Sequence, residues 1–325
     1  GLPLHPIGSL THSLSRRTRL ARAAVMAVGL TGCASQTAAL RHGAAGADLP
    51  RRIELAETPF FPRTGPDLCG PESLATVLQA QGFAVTPADL VPKVYLPGRH
   101  GSLQIEMLAA ARGAGAVAVP LPPTLAALCT ELAAGHPVLV LQNLGLAMAP
   151  AWHYAVAVGY DLDLSEMLLR SGDDARHRLS MRTFEHTGAR SGHWSFVTLA
   201  PGRLPRTATE ADMAQALVAF ERQAEPAAAL RAYEAARTRW PDNLTLMVGQ
   251  GNSLYRVGRR AEAADAFEAA ARRHASAAAW INLGMVALEL GQRERARSAA
   301  QEALALGGPW TDQARALAER VESRP

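Results

Sequence analysis

At 325 residues the chain is long enough for two domains, and 48% hydrophobic with 19% charged residues excludes a disordered or fibrous protein. The formal net charge of +4 arises entirely from Arg16, Arg17, Arg19 and Arg22, in a stretch, residues 1–32, that has no Asp or Glu. The remainder is balanced in charge and so carries no electrostatic footprint for nucleic acid.

Those four arginines precede the apolar run Ala23 to Leu30. The run is too short to span a bilayer but suits the h-region of a signal peptide. It ends Leu30-Thr31-Gly32-Cys33, which resembles the bacterial lipobox. The resemblance implies cleavage before Cys33, lipidation of that residue and a membrane anchor, with residues 1–32 as signal peptide. The alternative is an ordinary signal peptide with a chance Cys. Ala34 follows Cys33 where Asp would imply inner-membrane retention, so the periplasmic face of the outer membrane is the expected location. Residues 33–55, rich in Ala, Gly and Arg without periodicity, read as a tether.

Residues 56–204 mix helix and strand patterns. A helix is expected over Glu72 to Gln81, another from Thr86-Pro87, others over Leu103 to Arg112 and Leu125 to Ala134. Val117 to Val119, Val138 to Leu141, His153 to Tyr160, Met167 to Arg170 and Trp194 to Leu199 read as strands, the second a continuous apolar run of the kind buried on both faces. Helices first and mostly antiparallel strands after them predict an α+β domain.

Residues 205–325 lack strand patterns and carry an internal repeat. Gly251, Gly258, Ala263, Phe267 and Ala270 recur in register as Gly284, Gly291, Ala296, Ala300 and Ala303. Small residues let paired helices approach closely. The pattern resembles the tetratricopeptide repeat over about residues 210–310, which implies an all-α array that binds a protein partner. A plain Ala-rich helical bundle is the alternative.

The residues with the most chemistry lie in Asp67-Leu68-Cys69-Gly70-Pro71-Glu72. Pro71 suits a first helical turn, so Cys69 is expected at a helix N-terminus. The free N–H groups there favour a thiolate, which predicts a lowered thiol pKa. A Cys nucleophile needs a base, and His153, at the start of an apolar strand, is the best placed of the 10 His. His100, His136, His186 and His193 fall near loops and are expected to be solvated.

Cys69 and His153 together resemble the papain-like cysteine peptidases that remove double-glycine leaders from bacteriocin precursors. DLCGPESLATVLQAQG and WHYAVAVGYD carry the resemblance, over about residues 56–200. It implies a papain-like fold, a peptide or protein substrate, Cys69 as nucleophile and His153 as general base and acid. The sequence departs from that pattern twice. Arg63 or Thr64 stands where a Gln would supply an oxyanion donor. Ser171-Gly172 replaces the Asp-Pro that orients the His, making Ser171 the candidate orienter and Asp173 the alternative. Cys129, among Leu125, Leu128 and Leu132, is expected to be buried, or else to pair with Cys69. No zinc-like Cys spacing and no phosphate loop after a strand is present, so neither metal nor other cofactor is expected. The expected function is a membrane-anchored thiol peptidase whose repeats recruit substrate or partner. The alternative is a catalytically weakened scaffold that binds proteins through the repeats.

Overall fold

The computed structural model describes residues 35–323, so the expected signal peptide and Cys33 lie outside it. The described chain divides into two compact units, residues 35–200 with 204–212, and residues 213–323 with 201–203. The first is a mixed α/β region with an antiparallel sheet, the second a helical C-terminal region.

The first unit opens on helix α1 (Ser35–His42) and strand β1 (Arg52–Glu54), where the sequence reading expects a tether. Helix α1 is fastened to the domain. The Glu185 carboxylate accepts hydrogen bonds from Gln36 N at 3.1 Å, Thr37 N at 2.9 Å and Thr37 Oγ1 at 2.7 Å. These satisfy donors that a helix N-terminus leaves free, and Leu40 is buried beneath. The receiving carboxylate lies 148 residues along the chain from Thr37, so no local pattern announces the docking.

Helices α2 (Cys69–Ala80), α3 (Pro87–Val94) and α4 (Gln104–Gly113) follow, with a two-stranded ladder, β2 (Tyr95–Leu96) and β3 (Gly101–Ser102), between the last two. Helix α3 starts on a capping box in which Thr86 and Asp89 satisfy each other's backbone donors. Next come β4 (Val117–Pro120), α5 (Leu125–Ala133), β5 (Val138–Asn143), β6 (Trp152–Asp161), β7 (Glu166–Ser171), β8 (Asp174–Ser180), α6 (Met181–Ala189) and β9 (Ser195–Leu199). The sheet runs β4-β9-β5-β6-β7-β8, with β1 added to β6, and every pairing is antiparallel.

Helix α2 is buried from Gly70 to Leu78. Leu74, Val77 and Leu78 pack in one core with Leu139, Val156 and Phe196 of the sheet. Burial of each such side chain contributes about 1.5–3 kcal/mol. This packing fixes where the N-terminus of α2 meets the sheet. Strand β6 pairs along one edge with β5 over residues 152–157 and with β1 over 159–161. Its other edge pairs with β7 only from Val156 onward, which leaves the edge at His153 and Tyr154 open. Gly159 permits the approach of β1, because a Cβ there would collide with the Ile53 carbonyl.

The second unit contains α7 (Glu210–Glu221), whose first residues belong to the preceding unit, then α8 (Pro226–Arg239), α9 (Leu244–Arg256), α10 (Arg260–His274), α11 (Ala277–Glu289), α12 (Arg293–Leu306) and α13 (Thr311–Glu322). Its core is built from alanines such as Ala263, Ala270, Ala296 and Ala303 with a few large residues between them. A Cβ on Gly251 would lie 2.5 Å from the Phe267 ring, so the glycine makes the space that the aromatic fills. Gly258 and Gly291 hold left-handed turns with φ of 86° and 72° at equivalent helix ends.

Candidate active site

The chain enters the site through a strap, residues 56–64, held from three sides. Buried Arg170 on β7 donates to the carbonyls of Ala56 and Thr58. Arg63 N donates to Gly172 O at 3.1 Å, and the Arg63 guanidinium pairs with Asp173 at 2.9 Å. Thr64 N and Oγ1 both donate to Glu72 Oε1, at 2.7 and 2.9 Å. Glu72 lies in the first turn of α2 and is buried. Burial pushes its carboxyl pKa above the ordinary range, against the opposing pull of the two Thr64 bonds. The strap thus joins the helix that carries Cys69 to the β7–β8 turn.

Cys69 is the first residue of α2. Its Sγ accepts a hydrogen bond from Tyr154 N at 3.5 Å, across the open edge of β6. On its other flank, a Cβ on Gly70 would strike the Ser102 side chain, so glycine alone lets the β2–β3 ladder pack there. Tyr154 Oη then ties the ladder to the sheet by donating to Ser102 O at 3.0 Å. Ser102 Oγ is itself buried without a hydrogen-bond partner among the described residues.

The helix N-terminus does not lower the Cys69 pKa as the sequence predicts. Burial pushes the thiol up, and the Glu72 carboxylate adds to the rise. The N–H groups of Tyr154, Gly70 and Cys69 act in the opposite direction without overcoming them. The resting group is a thiol.

His153 stands near the start of β6, half-buried, with Nε2 2.9 Å from Ser171 Oγ at the end of β7. Burial first, and then the Coulombic effect of His177 and Arg63, depresses the His153 pKa, so the ring is neutral at pH 7. No hydrogen bond joins it to the Cys69 thiol among the described residues. The residue that touches Sγ is its neighbour, Tyr154. Ser171, not Asp173, reaches the ring. Asp173 is exposed and engaged by Arg63, which also removes Arg63 from the role of oxyanion donor. Thr64, the other residue at that place, is held by Glu72.

The remaining candidates separate cleanly. Cys129 on α5 is fully buried and unpaired, and burial pushes its thiol up to about 12. His136, expected in solvent, is buried with Nδ1 2.7 Å from Glu131, which in turn accepts two bonds from Thr207. Among the described residues no cluster of His, Cys, Asp and Glu is arranged to hold a metal, and no helix is long and apolar enough to cross a membrane. Glu72, Gly70 and Tyr154 were not singled out from sequence. A carboxylate inside the apolar run of α2 is the one local signal that could have marked Glu72. Tyr154 acts through its backbone, which has no sequence signature. A cleft of about 670 Å³ opens beside Cys69, bounded by the β3 turn, the β5–β6 loop and the floor residues Leu141 and Tyr154.

No family model matches the chain, and no curated protein does. Among solved structures, the chain is similar to a crystal structure described as a candidate C39-like peptidase from Bacillus anthracis, at 17% identity and a TM-score of 0.40, over 49% of this chain and 100% of that one.

Proposed function

We propose that the protein is a thiol peptidase of papain-like fold, with Cys69 as nucleophile, His153 as base and acid and Ser171 as orienter, acting on peptide or protein substrates. The observation that carries this reading is the arrangement at the open edge of β6. A thiol at a helix N-terminus touches the backbone beside a neutral imidazole whose Nε2 is occupied by a hydroxyl. With Nε2–H donating to Ser171, Nδ1 keeps a lone pair, the tautomer that a base requires. Nδ1 takes the proton from Sγ as substrate draws the two together, and the thiolate attacks the peptide carbonyl carbon. The Cys69 N–H, at the helix start, donates to the oxyanion. Nδ1–H then protonates the leaving amine, and water releases the acyl group from sulfur.

The helical region is proposed as a tetratricopeptide-repeat array that holds a substrate or protein partner, and Cys33 as a lipid anchor to the outer membrane. A second reading, a binding scaffold, is favoured by one feature: Arg63 and Thr64, at the place of the usual Gln, are engaged by Asp173 and Glu72, so neither completes the oxyanion site. Incubating the full chain with a mixed peptide library and reading products by mass spectrometry decides between them. Cleavage that disappears in Cys69→Ala supports the peptidase. A Cys69 that is as inert to iodoacetamide as Cys129, and indifferent to His153→Ala, refutes it. For the anchor, Cys33→Ala should abolish membrane fractionation, and unchanged fractionation refutes it.

A further inference from the structure

The cleft beside Cys69 is roomy, with polar and apolar lining in about equal measure. Leu141 and Tyr154 form its floor, and Leu103, Pro150 and Trp152 stand at its walls. At about 670 Å³ it exceeds what a pair of glycines would fill. The surface around it is unusual for this chain. Of the eight exposed large hydrophobic residues among those described, six lie in the two segments that border the cleft: Leu103 and Ile105 on one, Leu144, Leu146, Met148 and Trp152 on the other. Scattered apolar residues need no explanation, but Leu103 and Trp152 line the cleft itself and offer apolar surface to an occupant.

Charge at the mouth is mainly positive, with Arg99 and Arg190 against Asp67, whose Oδ2 lies 3.4 Å from His100 Nδ1. Arg190 gives Nη1 to the carbonyls of Asn143 and Gly145, which fastens the apolar β5–β6 loop in place. Arg99 also lines the cleft, and its side chain makes no ion pair or hydrogen bond among the described residues. An unpartnered guanidinium beside apolar side chains is complementary to a carboxylate next to a large apolar side chain.

We propose that the cleft takes an extended peptide that presents a large apolar side chain beside an acidic one, and not the double glycine that the sequence resemblance implies. The proposal deepens the peptidase reading and rests on it for the fate of the peptide, but not for its recognition. The contact residues that discriminate are Trp152 and Leu103 for the apolar group and Arg99 for the acid.

The test uses the full chain with Cys69→Ala, so that peptides bind without turnover, and fluorescein-labelled blocked octapeptides of Ser and Ala. Their central pair is Leu-Asp, Leu-Lys, Gly-Asp or Gly-Gly, and anisotropy reads the binding. Leu-Asp is expected to bind at least about tenfold tighter than Gly-Gly, since a hydrophobic pocket discriminates a side chain of this size by that order. In the same background, Trp152→Ala should weaken Leu-Asp about tenfold and leave Gly-Gly unchanged. Arg99→Ala should remove the preference for Leu-Asp over Leu-Lys. Gly-Gly binding as tightly as Leu-Asp overturns the proposal, as does self-association of the chain that Trp152→Ala abolishes while all four peptides bind alike. Parallel incubation of the same peptides with the unmodified chain keeps the two readings apart. Selective binding without hydrolysis upholds the recognition and counts against the peptidase. Hydrolysis that favours Gly-Gly upholds the peptidase and overturns the recognition.

Discussion

The two regions bury different things. The α/β region encloses polar groups tied to specific partners, some over long chain distances (Glu185 to α1, Glu131 to Thr207, Arg170 to the strap) and some nearby (Glu131 to His136, Glu72 to Thr64). The helical region encloses chiefly alanine, glycine and large apolar residues, with Asn252, Ser253 and Asn282 as buried polar exceptions, and keeps its ion pairs toward the surface, such as Arg272–Glu268 and Arg295–Glu268. A buried polar group must find a partner, and that partner's position is then dictated. The α/β region therefore fixes individual atoms, as a reactive site requires, while the helical region repeats one packing solution and presents surface.

The largest effects should fall on opposite quantities in the two regions. Cys69→Ala or His153→Ala should lower peptide hydrolysis by about 10³-fold or more while leaving the melting temperature nearly unchanged. Phe267→Ala, which empties a fully buried site facing Gly251, should cost about 3–5 kcal/mol in urea unfolding of the helical region and leave iodoacetamide labelling of Cys69 unaltered. A change in both readouts from either variant would break the comparison.

Next in size, Glu131→Ala should destabilise the α/β region by about 2–4 kcal/mol, because His136 and Thr207 lose a fully buried partner. Burial raises the Glu131 pKa, but the bonds from His136 and Thr207 outweigh it and bring the carboxyl below its usual range. Its stabilisation is then present above the unfolded carboxylate pKa of about 4.3 and lost as pH falls through the folded value. Chemical denaturation from pH 7 to 3 should show a shallower decline in Glu131→Ala than in the wild type, the remainder coming from Glu185, Asp161 and Glu54.

The site's own pH dependence gives a smaller, sharper test. With the His153 pKa depressed, the acid limb of hydrolysis should lie below about 6.5. Ser171→Asp places an anion at Nε2, favours the imidazolium and should move that limb to higher pH. A limb that stays in place would remove Ser171 from the ring. With the Cys69 pKa raised, iodoacetamide labelling of the free protein should climb only above the ordinary thiol range of about 8.5, and a plateau at neutral pH would contradict the burial described here. The smallest effect belongs to the exposed helix pairs: Arg272→Ala should leave the melting temperature within error, since surface ion pairs contribute little.

Periodicity determined much by itself. The helix beginning at Cys69, the apolar strands β5 and β6 and the helical C-terminal region follow from local pattern, because each element's apolar residues lie within a few positions of one another. Cys69 and His153 could be picked out as candidates from residue type and place in the chain, and Ser171 only through the family resemblance. Strand β8 escaped the sequence reading because Asp174 to Ser180 has no apolar face. Helix α1 escaped because its anchor, Glu185, is distant. The state of the Cys69 thiol was a tertiary matter. A helix N-terminus alone would lower the Cys69 pKa, yet burial against the sheet and the Glu72 carboxylate raise it. In sequence Ser171 was the candidate and Asp173 the alternative; in the fold Arg63, placed by the strap, pairs with Asp173 and the Ser171 hydroxyl meets the ring. Local pattern sets which elements form, because backbone bonding and short-range apolar spacing are local. The protonation state and partner of a side chain depend on desolvation and on charges brought close by folding, and only the packed chain decides those.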